Sequence, residues 1–133
     1  MMQEKRKVLI VDDDESCREF VDAIMQNEGW DTVLGLNGYE ALELAAKEEP
    51  DLIIMDVMMP EMNGFEAFRR LRLGLLTKDI PIIMLTSINE VVPEANYNEE
   101  VMEERFGVAR PEAFVDKPVD SQFLLDTIFG IVG

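Results

Sequence analysis

Histidine is absent from this 133-residue chain. That absence excludes Ser-His-Asp and Cys-His nucleophiles, histidine zinc sites and any internal phosphohistidine. Cysteine occurs once, at Cys17, so no internal disulfide can form, and a reducing cytoplasm is the expected setting. Bases are scarce. Twelve Lys and Arg stand against 28 Asp and Glu, for a formal charge of −16. Nucleic acid and anionic membranes are therefore not expected partners, because phosphate binding needs clustered Lys and Arg. A cation, or a protein with a basic patch, fits better. The charged opening M-M-Q-E-K-R-K is followed by only four apolar residues, too few for a signal peptide or a membrane span. There is no repeat, no low-complexity stretch and no linker. The length fits one domain over 1–133, and 47% hydrophobic residues suffice for a sizeable core.

What is present is alternation. Short apolar runs at 7–11, 31–36, 52–57, 80–86 and 112–116 have the length and β-branched content of strands buried on both faces, the second being the weakest. Helical patterns separate them. Cys17, Phe20, Val21, Ile24 and Met25 follow the spacing of one helix face, with Gly29 where that helix would end. Asn37 and Glu40 have capping-box spacing before Ala41, Leu42, Leu44 and Ala45, and Pro50 reads as a stop. Phe65, Phe68 and Leu71 predict a third helix. Asp120 reads as the N-cap of a last one carrying Phe123, Leu124, Thr127, Ile128 and Ile131. Residues 87–111 are the least legible, with a helix predicted near 97–106. Strand and helix in alternation, five times over, imply an α/β fold: a parallel sheet with helices on both faces.

In such a sheet, ligands bind beyond the carboxyl ends of the strands. Asp12 and Asp13 end the first predicted strand, Asp56 the third, Thr86 the fourth and Lys117 the fifth. Three carboxylates brought together repel unless a cation intervenes. Mg²⁺ suits them, since it takes oxygen ligands from one or two carboxylates and shares phosphate oxygens. An aspartate beside such an ion can attack phosphorus, with a lysine and a hydroxyl stabilising the phosphoryl oxygens.

The stretches V-L-I-V-D-D-D-E, D-L-I-I-M-D-V-M-M-P-E-M-N-G, P-I-I-M-L-T-S and F-V-D-K-P-V resemble, in order and spacing, the receiver domain of two-component response regulators. The resemblance spans nearly the whole chain. It implies a flavodoxin-like three-layer sandwich with strand order 2-1-3-4-5. It implies Asp56 as phosphoacceptor and Asp13 as direct Mg²⁺ ligand. Asp12 would act largely through water, and the Met58 carbonyl would complete the protein ligands. Thr86 would be the switch hydroxyl, Lys117 the phosphate-pairing lysine preceding a cis bond to Pro118, and Phe114 the switch aromatic. The implied donor is a sensor histidine kinase or histidine phosphotransfer protein. That donor must be another molecule, and the implied output is docking to a downstream protein, with no output domain following. Such a domain catalyses only its own phosphorylation and dephosphorylation. In this family the residues two past the phosphoacceptor and two past the switch threonine influence acyl-phosphate hydrolysis; here they are Met58 and Ile88.

Two departures from the family stand out: the stretch between Thr86 and Lys117 is long, and Arg110-Pro111 stands before Phe114, where Gly-Ala is common. Two rival readings stand beside this one. A pseudo-receiver would keep the fold and work only as an interaction module. A haloacid-dehalogenase-like phosphatase would use Asp12 as nucleophile and Asp14 as acid, from Asp12-x-Asp14-x-Ser16, but would need a later paired-acid motif that Asp56-Val57 and Asp116-Lys117 do not supply. Taken singly, Thr86 reads as a strand residue, Phe114 and Cys17 as core, Met58, Met59 and Met62 as loop packing, and Glu99, Glu100, Glu103 and Glu104 as a solvated face.

Overall fold

A computed structural model describes residues 5–87 and 110–133. Five strands form one parallel sheet: β1 (Lys7–Val11), β2 (Asp31–Gly35), β3 (Leu52–Asp56), β4 (Ile82–Thr86) and β5 (Ala113–Asp116), in the order β2-β1-β3-β4-β5. The helices of the described residues are α1 (Glu15–Asn27), α2 (Gly38–Glu48), α3 (Gly64–Leu73) and α4 (Ser121–Val132). This is the parallel α/β sheet that the alternation implied, in the flavodoxin-like strand order that the resemblance implied. The predicted helix near 97–106 lies outside the described residues.

Two apolar layers flank the sheet. One face of it packs with Ala41, Ala45, Phe65, Phe68 and Leu71 from α2 and α3. The other packs with Val21, Met25, Leu124 and Ile128 from α1 and α4. Strands β3 and β4 are buried along their whole length, as continuous apolar runs covered on both sides must be. The weak second run is an edge strand with Leu34 partly exposed.

Each of the four helices starts at a side-chain cap, two of them, Asn37 and Asp120, at the residues the sequence indicated. The carboxylate of Asp14 accepts from Ser16 N–H at 3.0 Å. Asn37 and Asn63 accept from Glu40 and Glu66 N–H at 2.9 and 3.0 Å, and Asp120 from Phe123 N–H at 2.9 Å. The Asn37–Glu40 box closes one residue early, because the Glu40 carboxylate accepts from Leu36 N–H rather than from the cap itself. Gly29 follows α1 at φ +88°, a left-handed position that favours glycine. Two helix stripes are narrower than their spacing predicted. Phe20 is 48% exposed and Phe123 55%, because α1 and α4 turn Val21, Met25, Leu124 and Ile128 to the sheet and leave the stripe margins outside.

One arginine is turned inward. Arg72, in the last turn of α3, donates to Glu112 Oε2 at 2.8 Å, to the Ile80 carbonyl at 2.7 Å and to the Arg110 carbonyl at 3.2 Å. Glu112 also accepts from the Ile82 N–H, so the pair ties α3 to the starts of β4 and β5. The Arg110-Pro111 departure therefore sits inside this tie. Arg72→Ala is expected to cost about 2 kcal/mol in urea unfolding, since it strands a half-buried carboxylate and several carbonyls. Arg72→Lys should recover little, because an ammonium cannot fork to partners in different directions.

Candidate functional site

The three consecutive aspartates part company where β1 ends. Val11 pairs with Met55, so Asp12 and Asp56 are the next residues on neighbouring strands. The Asp12 side chain turns the chain out of the sheet by accepting from Asp14 N–H through Oδ1 at 2.9 Å. Asp12 is fully buried and Asp13 faces solvent. Asp14, which the phosphatase reading would need as an acid, is occupied as the cap of α1.

Carboxylate oxygens of Asp12, Asp13 and Asp56 all lie within 4.8 Å of one another. Lys117, just past β5, reaches into the same place. Its Nζ lies 3.0 Å from Asp12 Oδ2 and 3.2 Å from Asp56 Oδ1. The peptide from Lys117 to Pro118 is cis, and Lys117 N–H donates to the Thr86 carbonyl at 2.9 Å. Thr86 is buried at the end of β4.

Charge and burial act together here. Burial and then the Asp12 charge push Asp56 from 3.8 up to about 7, against the opposing pull of Lys117 and of a hydrogen bond from the Met58 backbone. The carboxylates hold Lys117 up at about 12 although burial pulls it down. Cys17, half-buried beside Asp12, has its thiol pushed up to about 12 by burial and then by that carboxylate. This is an inert thiol, in keeping with the packing role expected of it.

The acid cluster fits a hard divalent cation. All its donors are oxygens. Asp12 Oδ2 is buried, with the Lys117 ammonium 3.0 Å away as its charge partner.

The loop after Asp56 presents Met58 to solvent while Met59 and Met62 pack inward, so only the last two serve the loop packing expected of them. Phe114 is half-buried, in register with Met84 and packed on the α2–α3 side of the core. Ile88 and the acids between 99 and 104 lie outside the described residues. Sequence reasoning missed Gly64. Its N–H donates to the Val57 carbonyl at 2.8 Å, and a Cβ there would run into the Asp56 carbonyl oxygen. The only signal was its place beside the Asn63 cap.

A parallel sheet in this order, with paired acids at one strand end, an aspartate at the next and a lysine at the last, defines a receiver. The chain matches the family model of the response regulator receiver domain over residues 8–129, and it belongs to that family. It is 34% identical to the chemotaxis response regulator CheY4 of Vibrio cholerae, with a TM-score of 0.81, covering 97% of this chain and 100% of that one. It is 32% identical to protein PilH of Pseudomonas aeruginosa over 126 residues, 95% of this chain and 97% of that protein. It is 40% identical over 91 residues to the probable transcriptional regulator ycf27 of Porphyra purpurea, 68% of this chain and 36% of that protein. The chain thus spans about a third of the length of the ycf27 relatives it matches. Receivers are signalling domains of two-component systems, whose partners are histidine kinases and downstream effectors. Among the described residues no helix is long and apolar enough to cross a membrane.

Proposed function

We propose that Asp56 accepts a phosphoryl group, in a Mg²⁺-dependent reaction, from a phosphohistidine on a sensor histidine kinase or histidine phosphotransfer protein. The modified domain then switches a protein-interaction surface toward a downstream protein. The observation that carries this reading is the convergence of Asp12, Asp13, Asp56 and Lys117 from three strand ends. Asp12, Asp13, Asp56 and the Met58 carbonyl would hold the Mg²⁺, which when bound neutralises charge on the phosphoryl oxygens.

An Asp56 oxygen attacks phosphorus as the donor's N–P bond breaks. The electron pair leaves with the donor imidazole, which takes a proton from solvent. Lys117, already 3.2 Å from Asp56, pairs with a phosphoryl oxygen. The Thr86 hydroxyl donates to another, which draws Thr86 toward the site and frees room for Phe114 to turn inward. The change shifts an existing equilibrium between two states.

A small acyl phosphate with Mg²⁺ should add one phosphoryl group, located by mass spectrometry at Asp56. Asp56→Asn should take none. A label on Asp12 would favour the phosphatase reading, and an unlabelled chain would favour the interaction module. The thioether of Met58 lies exposed beside the site and, with Ile88, should hinder an in-line water, giving a comparatively long-lived acyl phosphate. Met58→Asn with Ile88→Glu should shorten its lifetime several-fold in a decay assay, and an unchanged lifetime would refute that role.

A further inference from the structure

The chain holds nine methionines. Among the described residues, Met25, Met55, Met59, Met62 and Met84 are all buried. Met58 is the exception, 59% exposed. Met1, Met2 and Met102 lie outside the described residues.

The exposure of Met58 is built into its loop. Val57 N–H donates to the Leu85 carbonyl at 2.9 Å, Gly64 N–H to the Val57 carbonyl at 2.8 Å and Met62 N–H to the Pro60 carbonyl at 2.8 Å. Met62 also packs against Gly38, where a Cβ would come within 2.9 Å of its side chain. With both ends of the loop tied and Met59 and Met62 turned inward, the Met58 side chain is left to solvent. Its backbone hydrogen-bonds the Asp56 carboxylate, so that side chain starts out next to the group that would carry the phosphoryl. A thioether in water is open to two-electron oxidation, whereas a buried one is shielded. Cys17, the other sulfur near this centre, is only half-buried but lies on the far side of Asp12, on α1.

We infer that Met58 is a site of reversible oxidation by peroxide, and that its sulfoxide shortens the life of the acyl phosphate on Asp56. The inference rests on the phosphoacceptor reading of Asp56. The sulfur attacks one oxygen of hydrogen peroxide. An S–O bond forms as the O–O bond breaks, sulfur gives up two electrons, and the departing hydroxide takes the remaining proton and leaves as water. An apolar sulfur is thereby exchanged for a polar one bearing an acceptor oxygen. The thioether keeps water out of line with the phosphorus. The sulfoxide oxygen accepts a hydrogen from water and holds it there instead. The Met58 carbonyl, the part of the residue assigned to Mg²⁺, is chemically untouched. Uptake of the phosphoryl group should therefore persist while its loss quickens.

Dilute hydrogen peroxide followed by peptide mass spectrometry should place oxygen on Met58 ahead of Met59 and Met62. The oxidised chain, its fold checked by thermal unfolding, should take label from a small acyl phosphate with Mg²⁺ to the same extent. Once the donor is removed, it should lose that label several-fold faster. Methionine sulfoxide reductases for both epimers, with dithiothreitol, should restore the original lifetime. Met58→Leu given the same oxidant should keep its own untreated lifetime, although it retains Cys17 and every other methionine. Met58→Gln, which places an acceptor oxygen there without oxidant, should decay as fast as the oxidised chain. Oxygen arriving on Met59 or Met62 first would overturn the inference. So would an oxidised chain that loses its label at the untreated rate. Equal quickening in Met58→Leu would place the lesion elsewhere and overturn it too. A chain that takes no label even before oxidation would overturn the phosphoacceptor reading and this inference with it, whereas a labelled chain indifferent to the sulfoxide overturns this inference alone.

Discussion

Asparagine at position 56 is expected to make the metal-free protein more stable than the natural residue does. Asp56 is buried beside the Asp12 carboxylate, and its proton is held up to about 7. Between about pH 4 and 7 the folded chain keeps a proton that the unfolded chain has released, so this group lowers stability steadily as pH rises and its effect levels off above about 7. Lys117 offsets part of the cost, which is why the shift is not larger. The remaining penalty at pH 8 is on the order of 2–4 kcal/mol, and an uncharged amide of the same shape escapes it. For a domain of this size that is roughly 10 °C in melting temperature. Melting curves in EDTA should show little difference between the two proteins at pH 4 and a wide gap at pH 8. Added Mg²⁺ should raise the melting temperature of the natural protein and narrow the gap, because binding to the folded acid cluster stabilises it by linkage. Equal melting temperatures at pH 8 in EDTA would refute the electrostatic account of the site.

Gly64→Ala should be strongly damaging for the addition of a single methyl. An alanine inside a helix normally gains up to about 1 kcal/mol over glycine. Here the new Cβ would overlap the Asp56 carbonyl oxygen and lie 2.8 Å from the Val57 Cα, and both are backbone atoms that cannot rotate away. Relief requires α3 to lift from the end of β3, which also moves Asp56. The expected loss is about 3–5 kcal/mol, well beyond the propensity gain, together with a drop in phosphoryl uptake. Gly130 provides the control. It lies in α4 with nothing near its Cβ position, so Gly130→Ala should stabilise slightly. Chemical denaturation of both variants gives the comparison, and equal effects at the two glycines would disprove the steric argument.

The strands and helices were legible because their periods differ and because two caps are explicit, at Asn37 and Asp120. The acids and the lysine were legible because each stands where an apolar run stops. What the sequence hid depends on distant neighbours. Phe20 and Phe123 have the spacing of core residues, yet the angle at which α1 and α4 lie on the sheet leaves them outside. Nothing in its local pattern sets Arg72 apart from the neighbouring bases; the Ile80 and Arg110 carbonyls and the Glu112 carboxylate, the last two 38 and 40 residues on, turn it inward. Gly64 carries no pattern that foretells a backbone approach.

The shared ammonium of Lys117 has a consequence for valence. With Asp12, Asp13 and Asp56 ionised, the centre sums to minus three, and the lysine brings it to minus two. A doubly charged guest leaves the enclosure neutral, a singly charged one leaves it anionic, and a lanthanide would leave it cationic. Electroneutrality alone thus ranks its occupants, before size or coordination number is considered.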